Sequence, residues 1–460
     1  MNQEVESKKQ ERIQIQKDLF DNKIPKRIFS HIYLGTEIVA QYGNIDIKEA
    51  LFHPEILKDS IIDLSRKIPC DTSLYAGKVQ SPAVYQAMNS QNAVMSNKGF
   101  IQHPDTVGLL VEEYDDFIKD PYACILDKVM PRNYRDLNYK EQGAYSQYAF
   151  AKMMVAEQSL GMCFLPHDIS AEIEESFGHY PGCVTSHHEI QYAYAPFDFI
   201  TDNLRSFSGI LKDVRRMPEK VLNAVEAVYP LNLKASIPNE ITPYSMSTFM
   251  LHMPTFMREK DFTKFWWTQW LRLCNDLASM GVRVEAFCED DWTRYLDYLL
   301  EMPAGCRLQF EYGDAKVIKE KLGKRHIISG LFPVAALKSC TKDEIIYKTR
   351  EFLDIMMPGG NFEFKFDKDP LLLSDLKIEN LIALCETINK YGVYDNAGET
   401  AGIGFNKDDY KLSDVPVFTS KYYRSWEQYK AIHPYTPESA KEIVMGLEDR
   451  MLKEVYFFCM

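Results

Sequence analysis

From Ser247 onward the sequence alternates short apolar runs with amphipathic helical patterns, and this alternation limits the fold more than any other feature. Apolar runs of strand length that recur with helical segments between them are βα units. Parallel strands can be joined only by such crossovers, so the pattern calls for a parallel sheet. Five consecutive units can be traced. STFMLHMP (247–254) precedes a helix that starts near Asp261 and stops at Gly281, and VRVEAFC (282–288) precedes WTRYLDYLLEM. CRLQFEY (306–312) precedes AKVIKEKL, with Asp314 placed to cap it. HIISGLFP (326–333) precedes a helix opened by Thr341, with Glu344 three residues on as a capping box. NFEFKFD (361–367) precedes IENLIALCETINKY.

Upstream, SLYAGK (73–78), TVGLLVEEY (106–114) and HEIQYAYAP (188–196) read as three more strands, which brings the count to eight. Eight favours an α/β fold of the closed (βα)8 TIM-type barrel kind over an open doubly wound sheet. Neither GxGxxG after a strand nor GxxxxGK[ST] occurs, so the usual nucleotide signatures are missing. Residues 1–60 read as an N-terminal helical extension and residues 61–460 as the barrel, with a helical insertion near 120–185 around KEQGAYSQYAFAKMMVAEQSLG.

The formal charge of −13 argues against a nucleic-acid partner, whose phosphates demand clustered Lys and Arg. The ten cysteines are scattered singly, with no CxxC pair, as expected of a reduced, cytoplasmic protein. MNQEVESKKQERIQIQKDLF lacks the apolar core of a secretory signal, and no run is long and apolar enough to span a bilayer. A soluble chain is expected.

In a βα barrel the reacting groups sit where strands end, at the carboxyl rim. The polar residues ending the apolar runs are Glu112, Glu113 and Tyr114; Pro196 and Asp198; His252; Glu289, Asp290 and Asp291; Glu311 and Asp314; and Asp367. Asp290, Asp291 and Asp314 also stand where helix caps belong, and a cap carboxylate favours the positive end of the helix dipole. Glu289 is harder to explain structurally, because it ends an otherwise apolar strand, where burying its charge is costly without a partner. His252 at the end of STFML suits either an acid/base role or a structural hydrogen bond. His187, His188 and His326 fall at strand starts, on the opposite face.

Over about residues 65–400 the chain resembles the uroporphyrinogen decarboxylase superfamily, and within it the corrinoid-dependent methyltransferases that act as first components of O-demethylases. The stretches that carry the resemblance are LVEEYDDFIKDPYACILDKVMPR, YAPFDFITDNLR, LHMPTFMREKDFTKFWW, FCEDDWTRYLDYLLEMPAG, FEYGDAKVIKEKLG, HIISGLFPVAAL and IENLIALCETINKYGVY. The resemblance implies a barrel whose mouth takes a small methoxylated donor, expected to be aromatic, and passes its methyl group to the Co(I) corrinoid (cobalamin) of a separate corrinoid protein. It further implies catalytic roles for Glu289 and His252 and substrate contacts from Tyr114, Pro196, Phe197, Asp198 and Asp314. The sequence itself leaves open whether the chain forms a homo-oligomer.

The sequence departs from thiol-activating relatives, which hold zinc through an HxC motif and a later cysteine. Here Phe287 and Glu289 stand in the HxC places and the later cysteine is missing near FKFDKDP, so the zinc set left to consider is His252, Glu289, Glu311 and Asp367. Asp290 replaces a family glycine, and Leu331 a family asparagine. The arginine motif RxAGR of the true decarboxylase is absent from the first-strand region, which reads SLYAGKVQSPAVYQAMNSQNAV. A decarboxylase or lyase on the same barrel, and a non-catalytic corrinoid- or ligand-binding protein, are the rival readings.

Overall fold

The computed structural model describes residues 3–75, 81–160, 167–179 and 189–459. The hairpin strands β1 (Val94–Met95) and β2 (Ile101–Gln102) lie apart from the main sheet. The core is a parallel sheet of five strands in sequential order: β3 (Ile190–Ala193), β4 (Met246–Leu251), β5 (Arg283–Asp291), β6 (Arg307–Tyr312) and β7 (Ile327–Gly330). Helices pack around it. Each strand except β3 follows the sequence reading closely, because a Val-, Phe- and Ile-rich run of strand length closed by turn residues has few other solutions.

The parallel order continues past β7 through single bridges. Phe362 pairs with Ile328, Phe366 with Phe332, and Phe364 with Ser30. Beyond Ser30, the Asp71 N–H donates to the Ser30 carbonyl (3.2 Å) and the Leu34 N–H to the Leu74 carbonyl (2.7 Å). The sheet therefore curls on itself through 361–366, 28–34 and 70–75. Among the described residues no strand pairing joins Leu74 to β3, so the expected closure into eight strands is not completed there.

Two segments differ from the sequence reading. TVGLLVEEY is not a strand: Val111–Glu113 is a 3-10 turn and Tyr114–Lys119 a helix. Four carboxylates in VEEYDD suit a helix start, and Glu113 caps the Leu110 N–H (2.9 Å) while Arg132 holds its other oxygen (2.9 Å). In the stretch read as an N-terminal extension, the helices Gln3–Phe20 and Thr36–Tyr42 flank an extended segment in which Ile24, Ile28, Phe29, Ile32 and Leu34 are buried. The region of the insertion contains the helices Tyr145–Leu160 and His167–Phe177. His187, His188, Cys163 and Cys183 lie outside the described residues, as do the last residues of SLYAGK.

Behind β4 and β5, a π-helical turn, Phe262–Trp267, buries Phe262, Phe265, Trp266 and Trp267, which meet Trp270, Trp292 and Tyr295. Such a mass of rings fixes the two strands that carry the rim residues. Gly330 has φ +84°, and a Cβ there would stand 2.2 Å from the Phe310 carbonyl oxygen, so β7 can lie against β6 only with glycine at this place. No described helix is long and apolar enough to cross a membrane.

Candidate active site

Parallel register sets which side chains share the inner face. Thr248 stands opposite Glu285, Met250 opposite Phe287, Glu285 opposite Arg307, and Phe287 opposite Gln309. Because strand side chains alternate, stepping two residues along each strand brings His252, Glu289 and Glu311 to the rim above.

Three layers result. The lowest is ionic. Lys365 Nζ lies 2.6 Å from Glu285 and 3.5 Å from Glu363, both Glu363 carboxylate oxygens accept from Arg307 Nη2, and the Thr248 hydroxyl donates to Glu285 (3.2 Å). Burial would raise both glutamates, but the Lys365 and Arg307 cations outweigh it and hold the two carboxyls well below the usual range. His31 stands against this layer, and burial together with Lys365 pushes its imidazole down to about 3, so it is neutral. Above the ions the inner wall is apolar and open. Met250, on the interior strand β4, keeps 40% of its surface exposed, and Tyr192, beside it on the edge strand β3, keeps 46%, which marks the inside of the sheet as solvent-accessible.

The rim holds the chemistry. His252 Nδ1 meets an Asp202 carboxylate oxygen at 2.9 Å, and its Nε2 meets Glu289 at 3.0 Å. Tyr194 stands edge-on to the imidazole, 6.3 Å between centroids. Burial alone would lower the imidazole pKa, but the Asp202 hydrogen bond and the charges of Asp202, Glu289 and Asp198 raise it to about 9. His252 is therefore a cation at neutral pH, about a third exposed to the mouth. Glu289 is itself raised, first by burial and then by Glu311, Asp202 and Asp290, with His252 opposing. Asp202 lies on the π-helical turn Phe199–Arg205 that follows β3, an element often found at functional sites. Just before it, the buried Asp198 accepts the Trp266 indole N–H at 2.7 Å. Burial, and then the Asp202 charge, push the Asp198 carboxyl well above the usual range.

The other sequence candidates have defined partners. Tyr114 is buried and donates to Asp213 (3.0 Å), Phe197 packs on Phe265, and Pro196 opens the turn that carries Asp198. Asp314 caps its helix by accepting the Val317 N–H (3.0 Å), and Asp291 accepts the Thr293 N–H (2.8 Å). Asp290 has φ +62°, which explains why a glycine suits this place, and its N–H donates to Glu311 (2.8 Å). His326 is buried, with Nε2 2.9 Å from the Leu299 carbonyl oxygen.

Glu311 also takes Lys368 Nζ at 2.7 Å, and Asp367 accepts the N–H groups of Val334 (2.9 Å) and Lys368 (2.8 Å). In the set His252, Glu289, Glu311 and Asp367, both His252 nitrogens are therefore already engaged, by Asp202 and by Glu289, and Glu311 is engaged by Lys368, so a zinc ion would meet no ready group of donors. Among the described residues, no group of three or more His, Cys, Asp or Glu side chains is arranged to hold a metal ion. Catalytic zinc takes three protein donors. The donor set does not fit, and the chemistry below contains no step through a metal.

Sequence reasoning did not find Asp202 or the ionic layer. The signal for the layer was present: Glu285 and Glu289 share one face of β5, and Glu363, Lys365 and Asp367 share one face of NFEFKFD.

No family model matches the chain and no curated protein matches it. Among solved structures, it is similar to a methyltransferase from Methanosarcina mazei, with a TM-score of 0.48 and 13% identity over 82% of this chain and 98% of that one. A likeness at this distance assigns no function.

Proposed function

We propose that the rim around His252 is the active site of a methyltransferase that takes the methyl group of a methoxylated aromatic donor and passes it to the Co(I) corrinoid of a separate protein. The observation that carries this reading is the imidazolium of His252 fixed between Asp202 and Glu289 above an open apolar wall. The resemblance of the rim-bearing stretches to corrinoid-dependent methyltransferases supports the choice of reaction.

An aryl methyl ether is hard to demethylate because phenolate is a poor leaving group. As substrate, the corrinoid supplies the nucleophile for the methyl carbon. The C–O bond breaks, its electron pair stays on oxygen, and a proton must arrive there. His252 is charged at neutral pH and open to the mouth, so it can donate that proton from Nε2, with Asp202 holding Nδ1–H and so fixing ring orientation. Glu289 competes for the same Nε2 proton in the resting state and would be displaced by the ether oxygen. Tyr192, Met250 and Phe287 would face the aromatic ring, which suits an uncharged donor better than a polycarboxylate.

The test is to mix the purified protein with a reduced corrinoid protein and a series of methoxylated aromatics, following the conversion of Co(I) to methyl-Co(III) by its absorption spectrum. The reading expects conversion with at least one ether, and its loss in His252→Gln. Absence of conversion with every ether, or carbon dioxide release without corrinoid, overturns it.

A further inference from the structure

The ionic layer inside the sheet is balanced, since Lys365 and Arg307 answer Glu285 and Glu363. Above it one carboxylate is left over. Asp369, just past the segment 361–366, is exposed, and its side chain has no hydrogen bond or ion pair among the described residues. We propose that Asp369 is a specificity-determining residue of the mouth and holds a cationic amino substituent of the methyl donor, on the side away from His252. The body of that donor, an aryl methyl ether, rests on the methyl-transfer reading; the ammonium group is what this inference adds to the ring.

Three observations converge. The first is place. Ser30 pairs with Phe364 in parallel, so His31 stands beside Lys365 on the inner face, and Tyr33, two residues on, shares that face one layer higher. Burial, and then the charges of Tyr75 and Asp369, raise the Tyr33 phenol. Burial likewise raises the Asp369 carboxyl, and the Lys365 charge opposes it. Asp369 is thus close to two inward-facing groups and opens into the mouth, with β5, β6 and β7 between its segment and His252.

The second is charge. Lys365 is engaged by Glu285 at 2.6 Å and Glu363 at 3.5 Å, and Lys368, next to Asp369 in the chain, turns instead to Glu311 at 2.7 Å. A carboxylate crowded by protein and lacking a counter-charge is held in an unfavourable state, which an arriving ammonium relieves. A hydroxyl could donate to Asp369 but would leave its charge unanswered. An anionic substituent would be repelled.

The third is lining. Tyr192, 46% exposed, and Tyr33, half-buried, stand on the same wall as Asp369, and both act on one another's surroundings. Phenol rings attract a desolvated cation through their faces, so carboxylate and rings favour the same substituent.

Titration calorimetry on the full chain with para-methoxybenzylamine, its neutral counterpart para-methoxybenzyl alcohol and the anion para-methoxybenzoate tests this. The amine is expected to bind at least about tenfold (1.4 kcal/mol) more tightly than the alcohol, and Asp369→Asn to bring the amine down to the level of the alcohol. Asp369 is exposed, so its variant folds. Equal binding of amine and alcohol, tighter binding of the benzoate, no saturable heat with any of the three, or an amine preference that survives in Asp369→Asn overturns the proposal. The two readings fail separately. Amine binding through Asp369 without methyl transfer to a reduced corrinoid protein keeps the cation site and removes the methyl-transfer reading, whereas transfer from amine and alcohol with equal KM overturns the cation site alone.

Discussion

His252 and Glu289 meet 3.0 Å apart at the carboxyl ends of neighbouring strands, and the same imidazole is held on its other nitrogen by Asp202. Two carboxylates on one ring stabilise its charged form, so its proton is lost only near pH 9. If His252 is the acid, kcat/KM is flat through neutral pH and falls as pH rises through about 9. The folded pKa is raised, so the pair's contribution to stability is complete below the unfolded value of about 6.5 and disappears as pH rises through about 9. An NMR titration of the His252 ring proton, run beside the rate profile, checks both. A midpoint near 6.5 would contradict the assignment.

Asp202→Asn removes the charge but keeps a side chain able to accept from Nδ1–H. The imidazole pKa should fall toward its ordinary value, and the alkaline limb of the rate profile should move down with it. His252→Gln removes the proton donor itself and should cost roughly 10²- to 10⁴-fold in turnover. An Asp202→Asn rate profile superimposable on the wild type would show that Asp202 does not tune the acid.

Glu363 and Arg307 form an ion pair inside the sheet, with Arg307 Nη2 shared by both carboxylate oxygens and both side chains nearly inaccessible. Removing one member leaves a buried charge short of its partner, which generally costs about 3–5 kcal/mol. Glu363→Gln should approach that loss in urea unfolding, somewhat offset because Glu285 also lies 3.9 Å from Arg307. Glu285 and Glu363 both titrate below the ordinary range when folded. Their contribution is therefore present above the unfolded glutamate pKa near 4.3 and is lost as pH falls below it, so the wild type should be acid-labile in a way that Glu363→Gln is less.

Most of the sheet was legible in the sequence because β4 to β7 are apolar runs closed by turn residues. The pairing of His252 with Glu289 was legible too, since both end strands of a parallel sheet. What escaped was the inward direction of charge. In NFEFKFD the phenylalanines pack among one another and the buried core, and Glu363 and Lys365 face the ionic layer. Period-2 alternation is the same whichever face holds the ions. The extended segment Lys23–Leu34 escaped for another reason: its helical flanks dominate the local pattern, and its place is revealed only by long-range pairings, among them those of Ser30 with Phe364 and Asp71 and of Leu34 with Leu74. Asp202 was hidden because it lies in a π-helical turn, whose period no helical template fits.

Asp290 gives the last prediction. Its φ of +62° puts a non-glycine residue in the left-handed region, at the irregularity where the β5–β6 register shifts between Cys288 and Asp291. Left-handed backbone costs an ordinary residue about 1–2 kcal/mol, less for aspartate, and glycine pays none of it. Asp290→Gly should therefore be neutral or stabilise by up to about 1 kcal/mol, offset by the larger entropy glycine loses on folding. The change also deletes a negative charge that helps raise Glu289. Glu289 should then ionise at lower pH, which leaves the Asp290 N–H bond to Glu311 intact and alters only the electrostatics of the rim. Urea unfolding and a carboxyl-carbon NMR titration of Glu289 separate the two effects. A destabilisation of more than about 1 kcal/mol would mean that the aspartate side chain holds this turn in place.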